Sequence, residues 1–98
     1  MKNIFKHLII LTILVNVQIL NADDTYILNY EEVDIKKVTQ DIAQFSKKTV
    51  ILDPRVKGKI TIYSNAELDR DQVWNVYLRT MQVNGFSAVA DDGFVRIV

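Results

Sequence analysis

The feature that most restricts what this chain can fold into is its apolar N-terminus, which reads MKNIFKHLIILTILVNVQILNA over residues 1–22. Two lysines precede an apolar run from Leu8 to Leu20, and the small residue Ala22 follows it. A basic start, an apolar centre and a small final residue are the pattern of a cleaved secretory signal peptide. We therefore predict that residues 1–22 are removed and that residues 23–98 build the whole folded domain.

An uncleaved membrane anchor is the alternative interpretation of the same segment. A helix needs roughly 20 predominantly apolar residues to cross a bilayer. Thr12, Asn16 and Gln18 interrupt a run that is already short. The pattern therefore favours a cleaved signal and export of the domain.

The exported part has few of the side chains on which enzymes depend. The chain contains no cysteine, and its one histidine, His7, lies within the signal segment. Thiol nucleophiles, histidine-based triads and the common zinc sites therefore lack their side chains in residues 23–98. We predict no catalytic residue, no cofactor and no metal, and we expect the domain not to be an enzyme.

The charge balance bears on nucleic-acid binding, and the absence of cysteine bears on the compartment. Twelve Lys and Arg balance twelve Asp and Glu, so the basic field that attracts nucleic acid is missing. Small secreted domains often depend on disulfides, and this chain cannot form one. An export signal without cysteines fits the bacterial periplasm, and we predict that location and no nucleic-acid partner.

Five stretches of alternating or apolar residues predict strands. The first runs from Thr25 to Glu31 and closes at Glu31 and Glu32, with Ile27 and Asn29 sharing one face. The others are expected, in order, as a short buried strand in the TVILDP segment, then at 59–63, 86–90 and 94–98. In the third strand, Thr61 and Tyr63 share the face opposite the two isoleucines.

Two turns separate these strands. The DPRVKG segment holds the only proline and is interpreted as a connector that points Arg55 and Lys57 to solvent. Asp91-Asp92-Gly93 joins the last two strands as a hairpin turn. A calcium site is the alternative for the acidic pair, but it needs several converging oxygen ligands, and the hairpin is favoured.

Two helices complete the predicted order β-α-β-β-α-β-β. Asp34 is expected to cap the first helix, in which apolar residues recur at spacings of three and four. The second is expected from Asp69 to about Asn84, and Asp69 with Gln72 forms a capping-box pair. Its apolar face is expected to comprise Trp74, Tyr77, Leu78 and Met81. We interpret that face as core, and an exposed aromatic ligand platform is the alternative.

A cluster of basic residues surrounds the second predicted strand. It either faces an anionic partner or forms a solvated rim that keeps an apolar strand soluble, and we favour the rim. The cluster comprises Lys47, Lys48, Arg55, Lys57 and Lys59. More suggestive are the strands themselves, because so small a domain leaves strand edges open, and open edges invite a partner to add a strand.

Three motifs together resemble the N-terminal periplasmic domain of secretins, especially those of the type II secretion system. They are VDI at 33–35, TVILDP running into the VKGKIT segment at 56–61, and VNGF at 83–86. The likeness extends from about Tyr26 to the end of the sequence. It implies an α+β fold in which two helices are flanked by a small mixed three-stranded sheet and a two-stranded sheet. That fold is shared with the short signalling domain of some TonB-dependent receptors.

The resemblance also implies a function and a partner. In type II secretins this domain is part of an outer-membrane ring and docks an inner-membrane component, the protein C family, through strand edges. By this likeness we expect partner contacts at outward positions of the first and third strands. These positions are Ile27, Asn29, Thr61 and Tyr63.

Two other functions are carried as hypotheses. A signalling domain of the TonB-dependent receptor type would bind a periplasmic anti-sigma regulator, although the DPRVKGKITI segment suits secretins better. A small periplasmic enzyme would need a deep polar pocket with convergent carboxylates. A secretin continues into further ring-building domains, so we expect a truncated or split secretin or a standalone copy, and any ring homo-oligomer to form through those missing downstream domains.

Overall fold

The computed structural model describes residues 24–98, and the predicted signal peptide at 1–22 lies outside the described residues. The elements are β1 (Asn29–Asp34), α1 (Ile35–Ser46), β2 (Val50–Leu52), β3 (Lys59–Tyr63), α2 (Arg70–Val83), β4 (Ala88–Asp91) and β5 (Phe94–Ile97). The predicted order β-α-β-β-α-β-β is confirmed.

Two small sheets flank the helices. β1 and β3 form an antiparallel two-stranded sheet. In the other sheet, with strand order β2-β5-β4, β2 runs parallel to β5 and β4 runs antiparallel to it. α1 packs on α2 and also contacts β1, β2 and β3. The predicted α+β class, with one mixed three-stranded and one two-stranded sheet, is confirmed.

The first strand differs from the prediction, because it continues past the acidic pair to Asp34. Tyr30 pairs with Ile62 and Val33 pairs with Ile60, so Glu31 and Glu32 share the space opposite one residue of β3. This bulge inserts an extra residue, and Tyr30 and Val33 therefore both turn towards the core although they are three positions apart. Strict alternation would have placed Val33 in solvent.

The bulge holds Glu32 in the left-handed region, with φ of 49°, where a side chain costs about 1–2 kcal/mol. We expect Glu32→Gly to raise the free energy of unfolding, or to leave it within about 0.5 kcal/mol, because glycine is free of this strain. Lys59→Gly is the matched control in β3, where ordinary extended backbone makes glycine destabilising by roughly 0.5–1 kcal/mol. Urea unfolding compares the two, and an equal loss in both variants would contradict the strain at Glu32.

The β2 strand is also different from the prediction of a buried strand. Ile51 is 47% exposed, while Val50 and Leu52 are half-buried. β2 is an edge strand with only one face against the core, so alternate residues reach solvent. The fourth predicted strand, 86–90, is found at Ala88–Asp91, where all four residues are exposed.

The turn after β2 connects the two sheets. The Asp53 carboxylate accepts bonds from the Arg55 backbone N–H and from Arg55 Nε, both at 2.9 Å. These bonds lower the pKa of Asp53 to about 2. The Val56 N–H donates to the Asp53 carbonyl at 2.9 Å, and the Val56 side chain enters the core. Arg55 and Lys57 are exposed, as predicted, and the turn is a structural connector.

The helix starts follow the predicted caps. The Lys36 N–H donates to the Asp34 carboxylate at 2.8 Å. In α2 the Gln72 N–H donates to Asp69, and the Asp69 N–H donates to the Gln72 side chain, both at 2.9 Å. The capping box is therefore confirmed.

The buried face of α2 is rotated slightly from the predicted one. Val73, Tyr77 and Met81 are fully buried, whereas Trp74 and Leu78 are half-buried. The Trp74 ring stacks on Tyr77 with centroids 5.3 Å apart, and Lys48 Nζ lies 5.8 Å from the Trp74 ring centroid. These contacts support the interpretation of the face as core.

A buried hydrogen bond joins the two helices at the centre of the core. The Thr39 and Tyr77 hydroxyls lie 3.0 Å apart, and both residues are buried. Burial raises the pKa of Tyr77. The bond gives the Tyr77 hydroxyl a partner in an otherwise apolar site.

We expect Thr39→Val to lower the free energy of unfolding by about 1–3 kcal/mol, because it leaves the Tyr77 hydroxyl buried and unpaired. Tyr77→Phe should cost less, since the Thr39 hydroxyl can turn to a carbonyl of its own helix. The double variant should cost less than the sum of the two single variants. Urea unfolding at neutral pH measures this cycle, and additive losses would show that the pair is not coupled.

The raised pKa of Tyr77 also predicts a loss of stability in alkali. The neutral phenol is favoured in the folded state, so this stability is complete below the unfolded value of about 10 and is lost as pH rises above it. Thermal unfolding between about pH 9 and 11 should therefore show a steeper fall for the natural chain than for Tyr77→Phe. Parallel curves would rule out a contribution from Tyr77.

Candidate partner-binding site

The outer face of the two-stranded sheet carries the predicted contact residues. In β3, Ile60 and Ile62 are buried, while Thr61 and Tyr63 are exposed, as the alternation predicts. Tyr63 keeps 63% of its surface accessible. A large aromatic side chain is therefore presented to solvent on a strand whose other face is anchored in the core.

The structure brings three of the four predicted residues onto one paired surface. Asn29 lies directly opposite Tyr63 in the register, and Thr61 follows two positions along the same face. Ile27 is 62% exposed and extends this face beyond the start of β1. We call Ile27, Asn29, Thr61 and Tyr63 the β1-β3 face.

Neighbouring polar groups fix the orientation of this face. The Leu28 N–H donates to Ser64 Oγ at 2.9 Å, and the Ser64 N–H donates to the Leu28 carbonyl at 2.9 Å. The Glu32 N–H donates to Thr61 Oγ1 at 3.0 Å. The segment that carries Ile27 is thereby tied to the end of β3.

Sequence reasoning missed one residue that contacts this face, Glu31. The Tyr63 hydroxyl donates to Glu31 Oε1 at 3.1 Å. Strict alternation does place Glu31 on the outward face with Asn29, but the sequence interpretation treated it only as the end of the strand. The carboxylate adds an acceptor and a negative charge beside the exposed tyrosine ring.

The backbone groups of Asn29 and Tyr63 are also free to pair with a further strand. The Ser64 N–H bonds to the Leu28 carbonyl, so the neighbouring pair Asn29 and Tyr63 is a non-hydrogen-bonded pair of the antiparallel ladder. Their N–H and C=O groups point to the outer edges of the sheet. Within residues 24–98 this sheet has only two strands, so both outer edges can accept a further strand.

The pKa shifts within residues 24–98 have local structural causes. Burial and a 3.0 Å bond to Asp41 raise the pKa of Tyr30. Arg55 lowers the pKa of Asp53, and burial raises the pKa of Tyr77. Residues 24–98 hold no cluster of three or more side chains suited to a metal ion.

Three surface grooves of the described part contain none of these shifted groups. One of them is lined by Asp24, Asp69, Arg70 and Asp71 at the exposed start of α2, where Asp69 is occupied by its cap. The deep pocket with perturbed carboxylates that the enzyme hypothesis needs is not seen there. Between residues 24 and 98, neither helix has the length and apolar character needed to cross a bilayer.

Comparisons with known proteins identify the family to which this fold belongs. The family model described as GspD-like, N0 domain matches residues 28–97. The secretin XcpQ of Pseudomonas aeruginosa is 34% identical over 71 residues, which cover 72% of this chain and 11% of the secretin. The chain thus spans about a tenth of the length of the curated secretins that it matches.

Solved structures agree with the sequence comparison. A structure of XcpQN012 matches with a TM-score of 0.75 and 31% identity, over 80% of this chain and 37% of that one. A Klebsiella pneumoniae type II secretion outer-membrane complex, described as PulD, PulS and the PulC HR domain, matches with a TM-score of 0.65 and 30% identity, over 71% of this chain and 12% of that one. The chain belongs to the family of GspD-like N0 domains, the N-terminal domains of type II secretion secretins.

Proposed function

We propose that this domain is a non-enzymatic, periplasmic docking module of a type II secretion secretin that binds an inner-membrane component of the protein C family. The observation that carries the proposal is the β1-β3 face, which combines exposed apolar side chains with unpaired strand edges. The Klebsiella complex, which contains PulD and the PulC HR domain, supports this class of partner.

The geometry suggests how binding would occur. A partner strand added to β1 or β3 would gain main-chain hydrogen bonds at the edge, and alternate side chains would read the outward face. Tyr63 is the expected anchor, because a tyrosine offers a large contact area and a hydroxyl at low cost in conformational entropy. Ile27 adds an apolar contact at the other end of the face.

The same proposal includes location and export. Residues 1–22 would direct the chain to the periplasm, and within a full secretin the domain would be associated with the outer membrane. Membership of the GspD-like family supports a role in export over the signalling role of the TonB-dependent receptor type. Ring assembly would come from domains that the longer secretins contain.

The test measures binding of the chain to the periplasmic region of the protein C component from the same bacterium by isothermal titration calorimetry. We expect Tyr63→Ala to weaken binding about 30-fold or more, the effect of losing a hot-spot residue worth about 2 kcal/mol. Ile27→Ala should weaken it less. Tyr63→Phe, which keeps the ring and loses the bond to Glu31, should retain most of the affinity.

The control variant is Val83→Ala, which changes a residue that is 86% exposed at the end of α2, away from the β1-β3 face. Its affinity should match that of the natural chain. Equal losses for Val83→Ala and Tyr63→Ala would overturn the assignment of the face. Recovery of an anti-sigma regulator from envelope extracts, with no secretion component, would overturn the proposed function.

A further inference from the structure

The three-stranded sheet has an outer face that the proposed docking function does not use. Ile51 of β2, Arg96 of β5 and Val89 of β4 lie side by side in one row across the strands. Ile51 and Val89, at the two edges of the row, are 47% and 37% exposed. Two exposed apolar side chains therefore lie at opposite edges of the same sheet, at the same position along the strands.

The outer edge of β4 is open. The Ser87 and Val98 N–H groups each donate to the other residue's carbonyl at 2.9 Å, so Ser87 and Val98 form a hydrogen-bonded pair. Antiparallel alternation then directs the N–H and C=O groups of Ala88 and Ala90 away from β5. The strand has no proline, no lysine and no bulge, three of the devices that block an edge.

On the outer edge of β2, the backbone groups that point outwards lie at alternate residues that can pair with those of β4. The Thr49 carbonyl accepts from the Val95 N–H at 3.0 Å, and the Asp53 N–H donates to the Ile97 carbonyl at 2.9 Å. Residues at odd positions therefore bond to β5, and Val50 and Leu52 direct their backbone groups outwards. Within residues 24–98 this edge has no paired strand either.

We propose that β4 of one copy pairs antiparallel with β2 of a second copy of this chain, with Val89 beside Ile51. This register places Ala88 opposite Leu52 and Ala90 opposite Val50, so that all of their outward backbone groups find partners. Val89 and Ile51 become a non-hydrogen-bonded pair, the kind in which side chains approach closest.

Charge complementarity supports the head-to-tail arrangement. The same register places Asp92, in the hairpin turn, opposite Lys48 of the second copy, with Lys47 next to it. Asp91 is already paired with Arg96 at 3.0 Å. A symmetric pairing of β4 with β4 about Val89 would place Asp91 opposite Ser87 and would bring no lysine to the acidic turn.

The contact is small, and it repeats. Two short strands and two apolar side chains bury less than the roughly 1,200 Å² of a standard stable interface, so the pairing is weak in dilute solution. Because each copy offers both edges, the contact is heterologous and can repeat along a row of copies, in addition to any ring contacts made by the downstream domains. It goes beyond the proposed docking function, since it uses the opposite sheet.

Cysteine cross-linking in the full chain tests the register, because the natural sequence has no cysteine of its own. Ile51→Cys and Val89→Cys chains are mixed and oxidised with copper phenanthroline. We expect a disulfide-linked dimer at about tenfold the yield of either variant alone. This ratio corresponds to a roughly tenfold higher affinity of β4 for β2 than of either strand for itself. Both substitutions in one chain should produce a ladder of covalent oligomers.

Two controls make the result decisive. Val83→Cys is more exposed than either site, and equal cross-linking of Val83→Cys with Val89→Cys would show random collision and overturn the inference. Dimers of Val89→Cys alone, in a yield equal to the mixture, would show symmetric pairing and overturn it as well.

The charge contact has its own test in the same assay. Asp92→Lys in the Val89→Cys chain should lower the yield roughly two- to fivefold, the range for an exposed ion pair. Lys48→Glu in the Ile51→Cys chain should restore it, and a failure to restore the yield would overturn the register. Docking through the β1-β3 face is measured separately, so the two proposals fail independently.

Discussion

One apolar core, shared by two helices and two small sheets, supports every other feature of this domain. Val38 and Ile42 of α1 meet Val73, Tyr77 and Met81 of α2, and all five are fully buried. No disulfide reinforces them, and a core in a domain of this size supplies only about 3–5 kcal/mol. Loss of a single buried bond such as that between the Thr39 and Tyr77 hydroxyls would therefore remove a large fraction of the total.

The same core explains where the two proposed binding surfaces lie. Each sheet has one face towards the helices, and within the described residues no further layer covers the other face of either sheet. β4 adds no residue to the buried core, and β1 is interrupted by a bulge, so both sheets end in edges that the helices do not protect. A domain built in this way presents two separate strand surfaces, which suits a module that meets more than one neighbour in an assembly.

Local patterns in the sequence were sufficient for some features of the fold and insufficient for others. Caps depend on a few adjacent residues, so Asp34 and Asp69 could be recognised, and the alternation of β3 correctly placed Thr61 and Tyr63 outside. The bulge at Glu32 could not be predicted, because it arises from the register between β1 and β3, which are distant in sequence. The exposure of Ile51 depends likewise on β2 being an edge strand. The side chains of the candidate site thus followed from alternation, while the bond from Tyr63 to Glu31 required the structure, and the class of partner came from resemblance alone.

The turn between β2 and β3 links the two surfaces to each other. It carries the chain from the three-stranded sheet to the two-stranded sheet within a few residues, and Val56 fixes its middle in the core. The Gly58 carbonyl accepts from the Ile35 N–H at 3.0 Å and so ties the end of the turn to the start of α1. Because Arg55 keeps the pKa of Asp53 low, the carboxylate remains charged, and its bonds to Arg55 persist, until the pH falls towards about 2. A partner on β3 and a second copy on β2 would therefore lie at a separation set by this turn and by the core that anchors it.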